Sequence, residues 1–302
     1  MMSYLARLTG RTLPGVLQEK PQRRDELHAC FLAALDDNGG FRGRKGHGDL
    51  YYSAFALRGL FLLGRLEDES LLKRVTGFLK EQFQRNDLSP AEILSWTFCA
   101  SLVLTVREKE LPPIASLLHR WDSFRRGDGC FAVSEKSAYS STYTTFLAAI
   151  FYEFLGETEC LRSIPVEPIL ERRRSDGGFV ELPQLRYSGT NPTAAVVGLL
   201  TLLGVQLREK QRTVDFLCRC QQPSGGFQAH ARIPLPDLLS SFSAWTALHD
   251  LDAVDQGNSS TLRNFVSSLR SSDGGFFGTP DDQQSDVEYT FYGMALGAML
   301  QS

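Results

Sequence analysis

The chain alternates between two kinds of helical pattern, with a recurring turn between them. In stretches such as 71–83, apolar residues recur every three or four positions and so fall on one face of a helix. Other stretches, such as 51–57 and 292–298, are apolar nearly all round and rich in small residues. A helix that is apolar on every side must be buried on every side. The pattern therefore predicts an outer layer of amphipathic helices around an inner layer of buried ones.

A Gly-Gly-Phe-like turn marks a repeat of about 48 residues. After a first gap of 90 residues, its phenylalanines are spaced by 48, 48 and 49, at Phe41, Phe131, Phe179, Phe227 and Phe276. The long first gap predicts one repeat that lacks the turn, near residues 86–88. We expect the double glycine to end each amphipathic helix, because glycine readily adopts the left-handed conformation of a C-cap. Six such repeats account for the chain.

Six helical hairpins can stack as an open solenoid or close into a ring. An open stack needs polar end units, and the last repeat here is as apolar as the others. We therefore predict an all-α fold, an α6/α6 toroid in which six helical-hairpin repeats form a double-walled α/α barrel. Residues 1–302 would form this single domain, with residues 1–25 as a short N-terminal extension or first helix.

Composition narrows the classes of function. The 32 Lys and Arg against 35 Asp and Glu give a net charge of −3, without the basic excess of a nucleic-acid-binding protein. No apolar stretch approaches the roughly 20 residues that cross a bilayer, and the first 20 residues lack the apolar core of a secretion signal. Six cysteines form no CxxC pair and mostly lie in apolar contexts, which is typical of reduced thiols. We expect a cytoplasmic protein with no membrane span.

Polar residues begin the second helix of each repeat, and they suggest where a ligand binds. Side chains of this kind cap helices by accepting a hydrogen bond from an early backbone N–H. If the inner helices run parallel, their N-termini meet at one end of the barrel, where their partial positive charge favours an anion such as a diphosphate. The equivalent positions are Asp49, Glu92, Ser140, Asn191, Asp237 and Asp286.

Other residues near these helix starts have the chemistry to hold a diphosphate and an apolar tail. The cationic candidates are Arg44, Lys45 and His47 in the first loop, and His230 and Arg232 in the fifth. The aromatic candidates for the wall of an apolar funnel are Tyr51, Trp245 and Tyr292. Solvated loops and core packing are the alternative explanations for the two groups.

The turn and the helix after it resemble a known family. Asp-Gly-Gly-Phe followed by an aromatic- and Ala-rich helix resembles the prenyltransferase and squalene-cyclase repeat, over essentially the whole chain. The chain has room for one barrel and lacks the Asp-x-Asp-Asp protonation motif of the cyclases. It is therefore most similar to the β subunits of protein prenyltransferases, in particular the Rab geranylgeranyltransferase type. The resemblance implies a prenyl diphosphate substrate such as geranylgeranyl diphosphate, a catalytic zinc and a helical-repeat α subunit.

The zinc ligands that the resemblance implies are not retained. Where the family has Pro-Asp-x-Cys, this chain has Leu239 in place of the cysteine, and Tyr289 stands in place of the family's histidine. Asp237 is the one ligand position that remains. Since a catalytic zinc site needs three protein ligands and an open position, the sequence argues against zinc and predicts no metal site. The candidate catalytic residues are Asp237, Asp286 and Tyr289.

Four functions remain open from the sequence. The protein is a prenyltransferase that binds an isoprenoid diphosphate and acts without the usual zinc, a non-catalytic isoprenoid- or lipid-binding protein, a partner-binding toroid with a filled cavity, or a terpene-cyclase-like enzyme. A heterodimer with an α subunit, a homodimer and a monomer are all compatible with the sequence.

Overall fold

Apolar helices alternate with amphipathic ones, as the hydrophobic pattern predicts. A computed structural model describes residues 3–106 and 111–301, so the rest of the predicted domain lies outside the described part. The helices are α1 (Tyr4–Gln18), α2 (Pro21–Ala33), α3 (Leu50–Leu62), α4 (Glu69–Phe83), α5 (Pro90–Val106), α6 (Thr142–Leu155), α7 (Thr158–Arg162), α8 (Glu167–Leu170), α9 (Thr190–Leu203), α10 (Lys210–Cys220), α11 (Leu238–Asp250), α12 (Ser259–Ser268) and α13 (Val287–Met299). Two 3₁₀ helices span Ile114–Phe124 and Val254–Gln256, and strands β1 (Gln228–His230) and β2 (Ile233–Pro236) pair antiparallel.

The second helix of every repeat is the buried one. These helices are α3, α5, α6, α9, α11 and α13, and most of their side chains are inaccessible. The first helices are α2, α4, α10 and α12, and α4, α10 and α12 are the amphipathic ones. In the third and fourth repeats the first helix is replaced by a 3₁₀ helix and by the short α7 and α8. Prolines at 112, 113, 165 and 168 explain this difference, because proline removes a helical hydrogen bond and disfavours helix before it.

The Gly-Gly-Phe turn does not cap the preceding helix, so that expectation is wrong. In the first repeat α2 ends at Ala33, and Gly39 lies several residues later with φ +87°. The glycine closes a tight turn, and Phe41 then forms an antiparallel bridge with Leu35. The other four Gly-Gly-Phe-like turns have the same bridge between the phenylalanine and the residue six positions before it. The motif therefore makes a small hairpin between the two helices of a repeat.

A hydroxyl on the inner helix ties each of these turns to its own repeat. The buried N–H of Phe179 donates to Thr193 Oγ1 at 2.9 Å, and this hydroxyl donates to the carbonyl of Gly189 at 2.6 Å. The equivalent acceptors for the other phenylalanines are Ser53, Thr145, Ser241 and Thr290. The second repeat, which lacks the turn, has the buried Ile93 at this position. The turn and the hydroxyl are thus present together or absent together.

Glycine is required at this turn by contact with the next repeat as well as by its conformation. A Cβ added to Gly177, whose φ is +92°, would lie 2.1 Å from the carbonyl oxygen of Arg212 on α10. Gly39 is in the same position relative to Arg74 on α4, at 2.5 Å. The turn of one repeat therefore packs directly against the first helix of the following repeat.

The described chain divides into two compact units. Unit 1 comprises residues 1–7 and 119–268, and in it α9 packs against both α6 and α11. Its core contains an aromatic cluster in which Trp121 lies against Phe131, Phe151 and Tyr152 at ring-centroid distances of 5.3–6.4 Å.

Unit 2 comprises residues 8–118 and 269–302, and in it α3 packs against both α5 and α13. The last repeat meets the first one here. A Cβ added to Gly274 would lie 2.9 Å from the carbonyl oxygen of Glu26 on α2, and α13 packs on α2 and α3. The first and last repeats of the chain are therefore in direct contact within this unit.

Candidate functional site

The starts of the inner helices are capped by polar side chains, although not always by the predicted ones. Asp49, Asp237 and Asp286 are N-caps, and each accepts a hydrogen bond from the backbone N–H three residues later, at 2.7–2.9 Å. The sequence alignment of the repeats is correct for these three. Their side chains hold the first turns of α3, α11 and α13 in place.

The prediction is wrong by one to three positions for the other three helix starts. Ser141 caps α6 in place of Ser140, and α9 has Gly189 as its N-cap, with Asn191 inside the first turn. Glu92 is the last residue of a Ser-x-x-Glu capping box that begins at Ser89, and its carboxylate accepts from the N–H of Ser89 at 2.9 Å. The Ser-x-x-Glu pattern of a capping box is visible in the sequence and could have placed this start correctly.

Arg44 of unit 2 is held by two carboxylates. Its guanidinium donates to Asp282 at 2.7 and 3.1 Å and to Asp286 at 2.9 Å, and it lies 5.4 Å from the ring centroid of Tyr289. The Arg44 hydrogen bond holds the pKa of Asp282 below its ordinary value, whereas burial raises the pKa of Asp286. A phosphate would therefore have to displace a carboxylate from Arg44. The predicted candidates Arg44, Asp286 and Tyr289 lie together in one polar cluster.

The predicted candidates Lys45 and His47 of the first loop lie outside this cluster. Lys45 and His47 are both exposed, and His47 Nδ1 is 3.5 Å from a carboxylate oxygen of Asp36. Hydrogen bonds, led by the one from the N–H of Gly48, lower the pKa of Asp36. Phosphate binding by Lys45 and His47 stays a prediction.

An aromatic wall in unit 2 extends away from the Arg44 cluster along three inner helices. We use this name for Tyr51 and Phe55 of α3, Phe98 of α5, and Phe291 and Tyr292 of α13. Phe55 lies 5.1 Å from Tyr51, 5.6 Å from Phe291 and 5.2 Å from Tyr292 between ring centroids. Small parts of the buried rings remain accessible, 8% for Phe55, 9% for Phe98 and 7% for Tyr292.

Polar groups border the aromatic wall at two levels. At the N-terminal ends of α3 and α13, the hydroxyl of Tyr51 donates to Glu288 at 2.7 Å. Deeper along α3, the guanidinium of Arg58 lies 4.4 Å from the ring centroid of Phe291 and 5.5 Å from that of Phe98. The predicted ligand-binding residues Tyr51 and Tyr292 are therefore part of one aromatic surface, which is bordered by Glu288 and Arg58.

In unit 1 the predicted residues fall into separate environments. His230 Nδ1 accepts the N–H of Arg232 at 3.1 Å, and both side chains contact the exposed ring of Tyr187. Trp245 instead lies in the core, edge-on to His249 and close to Gly257. The loop cations and Trp245 are thus not brought together around one point.

Asp237 is the predicted catalytic candidate of unit 1. Its carboxylate accepts from the N–H and the hydroxyl of Ser240, both at 2.7 Å, and burial raises its pKa. Asn191 donates to the same Ser240 hydroxyl at 3.5 Å. The hydrogen bonds to the Asp237 carboxylate therefore come from the first turn of α11, and the neighbouring α9 contacts Ser240 rather than Asp237.

The residues present do not fit the zinc that the family resemblance implies. Leu239 offers no donor atom, and Tyr289 lies beside the Arg44 guanidinium. Across residues 3–106 and 111–301, no group of three or more His, Cys, Asp or Glu side chains is arranged to hold a metal ion. No helix in these ranges is both long enough and apolar enough to cross a bilayer.

Solved structures share the fold at low sequence identity. Protein geranylgeranyltransferase-I from Candida albicans, complexed with GGPP, matches with a TM-score of 0.70 and 15% identity over 82% of each chain. The type II terpene cyclase MstE from Scytonema matches with a TM-score of 0.65 and 13% identity over 96% of this chain and 98% of its own. No curated protein matches the sequence significantly.

The sequence also matches a family model directly. The model of the prenyltransferase alpha-alpha toroid domain matches residues 15–77 and 194–302, more than half of the chain. These segments contain the first, fifth and sixth repeats, including Arg44, Asp237 and Asp286. The predicted fold class and family are both confirmed, and the chain belongs to the prenyltransferase alpha-alpha toroid domain family.

Proposed function

We propose that the protein binds an isoprenoid diphosphate, with the hydrocarbon chain on the aromatic wall of unit 2 and the diphosphate at Arg44. The observation that carries this proposal is the continuity of the site. Contacting aromatic rings on α3 and α13 lead to a cation near the starts of the same helices. Apolar rings suit a hydrocarbon chain, and an arginine suits a phosphate.

Binding at Arg44 requires an exchange of anions. Asp286 is the N-cap of α13 and its side chain is only 4% exposed, so it stays in place. Asp282 lies on the preceding loop with 22% of its side chain exposed, and it can leave Arg44 without unwinding a helix. We therefore infer that a diphosphate replaces Asp282.

Thermal unfolding with ligands of matched composition tests the proposal. Geranylgeranyl diphosphate at about 100 times its Kd stabilises a folded protein by about 2.7 kcal/mol, which is roughly 5 °C in Tm for a chain of this size. Geranylgeraniol and pyrophosphate, which are the two halves of the ligand, should each give smaller shifts. No shift with any isoprenoid diphosphate at saturating concentration would rule the proposal out.

Two substitutions with opposite expected effects locate the diphosphate. Arg44→Met should weaken binding, because it removes the cation, whereas Asp282→Asn should strengthen it, because it removes the competing anion. Phe55→Ser should weaken binding of the chain, and Phe61→Ser is its matched control. Phe61 is on the same helix but 39% exposed and outside the aromatic wall. Turnover of labelled diphosphate with non-thiol acceptors then separates a transferase from a binding protein.

Acid-initiated cyclisation is a second candidate function, favoured by the environment of Asp237. Because burial raises its pKa, the protonated form that could donate to an alkene is favoured relative to an exposed aspartate. If this function is correct, an unmodified polyprenyl substrate is cyclised, and Asp237→Asn abolishes the product. Persistence of the product in Asp237→Asn would exclude this residue as the acid.

A further inference from the structure

The exposed apolar side chains of the described residues are concentrated on three loops of unit 1. Six of the eleven large ones lie there, with exposed fractions of 37–56%. We call this set the loop ridge: Val133, Tyr139, Leu185, Tyr187, Ile233 and Leu235. Single exposed apolar residues are ordinary on a protein surface, but a cluster usually marks an interaction site.

Comparison of equivalent positions shows that exposed apolar residues before the inner helix are specific to three of the six repeats. The residue two positions before the helix cap is Tyr139, Tyr187 or Leu235 in the third, fourth and fifth repeats. In the other three repeats the same position is polar: His47, Asp87 and Gln284. Since the first and sixth repeats have the same turn before their inner helix, the repeat structure alone does not require an apolar residue here.

The three loops lie side by side. Thr142, at the end of the first loop, donates its hydroxyl to the carbonyl of Val180 in the second at 2.8 Å. Gly189, at the end of the second loop, forms an antiparallel bridge with His230 in the third. Arg232 places its guanidinium 4.8 Å from the ring centroid of Tyr187. The loop ridge is therefore one continuous surface.

Arginine hydrogen bonds to backbone carbonyls fix two of these loops with their apolar side chains outward. The guanidinium of Arg126 donates to the carbonyls of Ser134 and Ser137, at 2.7 and 2.8 Å. Arg174 does the same to Pro183 and Leu185 in the next repeat, at 2.8 Å each. The apolar side chains are thus presented to solvent by a preorganised backbone.

The charges on the same loops are mostly positive. In segments 132–140, 180–188 and 228–236, the exposed charged residues are Lys136, Arg186 and Arg232 against Glu135. The chain as a whole has a net charge of −3, so this surface is locally cationic on a slightly acidic protein. Charge complementarity points to an anionic partner.

We propose that the loop ridge docks on an anionic lipid bilayer. Tyrosine, short aliphatic tips and basic side chains are the combination that settles at the interface between headgroups and acyl chains. Basic residues next to an anionic leaflet add an attraction that depends on salt. The proposal stands on the loop surface alone and does not depend on the isoprenoid site.

Vesicle sedimentation of the full chain tests the proposal. We expect binding to phosphatidylcholine vesicles containing about 30% phosphatidylserine, much weaker binding to pure phosphatidylcholine, and loss of binding as salt rises from 50 to 500 mM. Lys136→Glu with Arg186→Glu should reduce the partition coefficient about 25-fold or more, because each basic residue near the leaflet contributes about fivefold. Lys73→Glu with Lys80→Glu, two exposed positions on α4, is the control with the same change of net charge.

The role of the apolar side chains in membrane binding is tested by making the position before the helix cap polar in all six repeats. The triple variant Tyr139→Ser, Tyr187→Ser and Leu235→Ser should lose binding to anionic vesicles while keeping the Tm of the wild type within about 2 °C, since these side chains are exposed. Equal binding to neutral and anionic vesicles, or equal loss in the α4 control, would overturn the proposal. So would an absence of vesicle binding together with a change of oligomeric state in the triple variant, which would identify the loop ridge as a protein contact.

Discussion

The hydroxyl that holds each Gly-Gly-Phe turn provides a test of how the repeats are stabilised. In the fourth repeat Thr193 is fully buried and is the hydrogen-bond acceptor for the equally buried N–H of Phe179. Thr193→Val keeps the shape of the side chain and removes that acceptor. The substitution removes this hydrogen bond together with the one that the hydroxyl donates to the carbonyl of Gly189, so its control must lose a bond of the second kind alone.

The expected cost follows from the group that is left without a partner. A buried backbone N–H without an acceptor costs about 1–3 kcal/mol. The methyl group that replaces the hydroxyl recovers about 0.8 kcal/mol of hydrophobic burial. The net loss should be about 0.2–2 kcal/mol, which corresponds to a fall in Tm of up to roughly 4 °C.

Thr97 supplies a matched control on another inner helix. Its buried hydroxyl donates to the carbonyl of Ile93 at 2.8 Å and holds no turn. Thr97→Val leaves no N–H without a partner, so it should cost less than about 0.5 kcal/mol. Free energies of unfolding from urea titrations, with Tm from circular dichroism, compare the two variants. A difference below about 0.3 kcal/mol would refute the role of the hydroxyl.

Two further predictions concern a glycine and an ion pair. Gly177→Ala should destabilise the protein by more than about 2 kcal/mol, because φ is +92° and the new Cβ would meet a backbone oxygen. Its control is Gly77→Ala on the exposed side of α4, which should stabilise the protein by up to about 1 kcal/mol. Equal urea midpoints for the two variants would contradict this prediction. Arg44→Met should destabilise the protein at pH 7 by about 1–3 kcal/mol, because it leaves the buried carboxylate of Asp286 without its cation. Burial raises the pKa of Asp286, so the stability lost in Arg44→Met should shrink as acidification protonates that group. The pKa of Asp282 is lowered, so the wild type keeps the stability contributed by the Arg44–Asp282 ion pair until the pH falls below about 4. A stability difference between wild type and Arg44→Met that grows from pH 7 to pH 4.5 would show that this assignment is wrong.

The sequence was sufficient for the repeat architecture because burial and spacing carry the same information. The phenylalanine spacing and the wholly apolar segments identified the six inner helices and the family. The role of the glycine was misjudged. The sequence shows that Gly39 follows a helix, but it does not show that the helix ends before Leu35 and that Gly39 lies in a hairpin closed by the bridge between Leu35 and Phe41. The hydroxyl at Thr193 was visible fourteen residues after Phe179 and was missed as a repeated feature.

The candidate site was harder to predict, because side-chain partners come from distant parts of the chain. The structure brings Arg44, Asp286 and Tyr289 together in one polar cluster, which the sequence did not show, and nothing in the first loop indicates that Asp282 neutralises Arg44. Trp245 shares its helix with Asp237, and the sequence does not reveal that its ring packs against Gly257. When a helix is apolar on every side, its composition does not show which side chains pack into the core and which face a ligand.

The bond between turn and hydroxyl also bears on how the chain finds its structure. In four repeats it closes a segment of fourteen residues, and segments of this size meet within about a microsecond, long before distant parts of the chain do. Five of the six repeats can therefore lock their own connection between helices early, from local contacts alone. The second repeat, with Ile93, must wait for its neighbours, and we expect its amides to be the last of the inner helices to gain protection from hydrogen exchange during refolding.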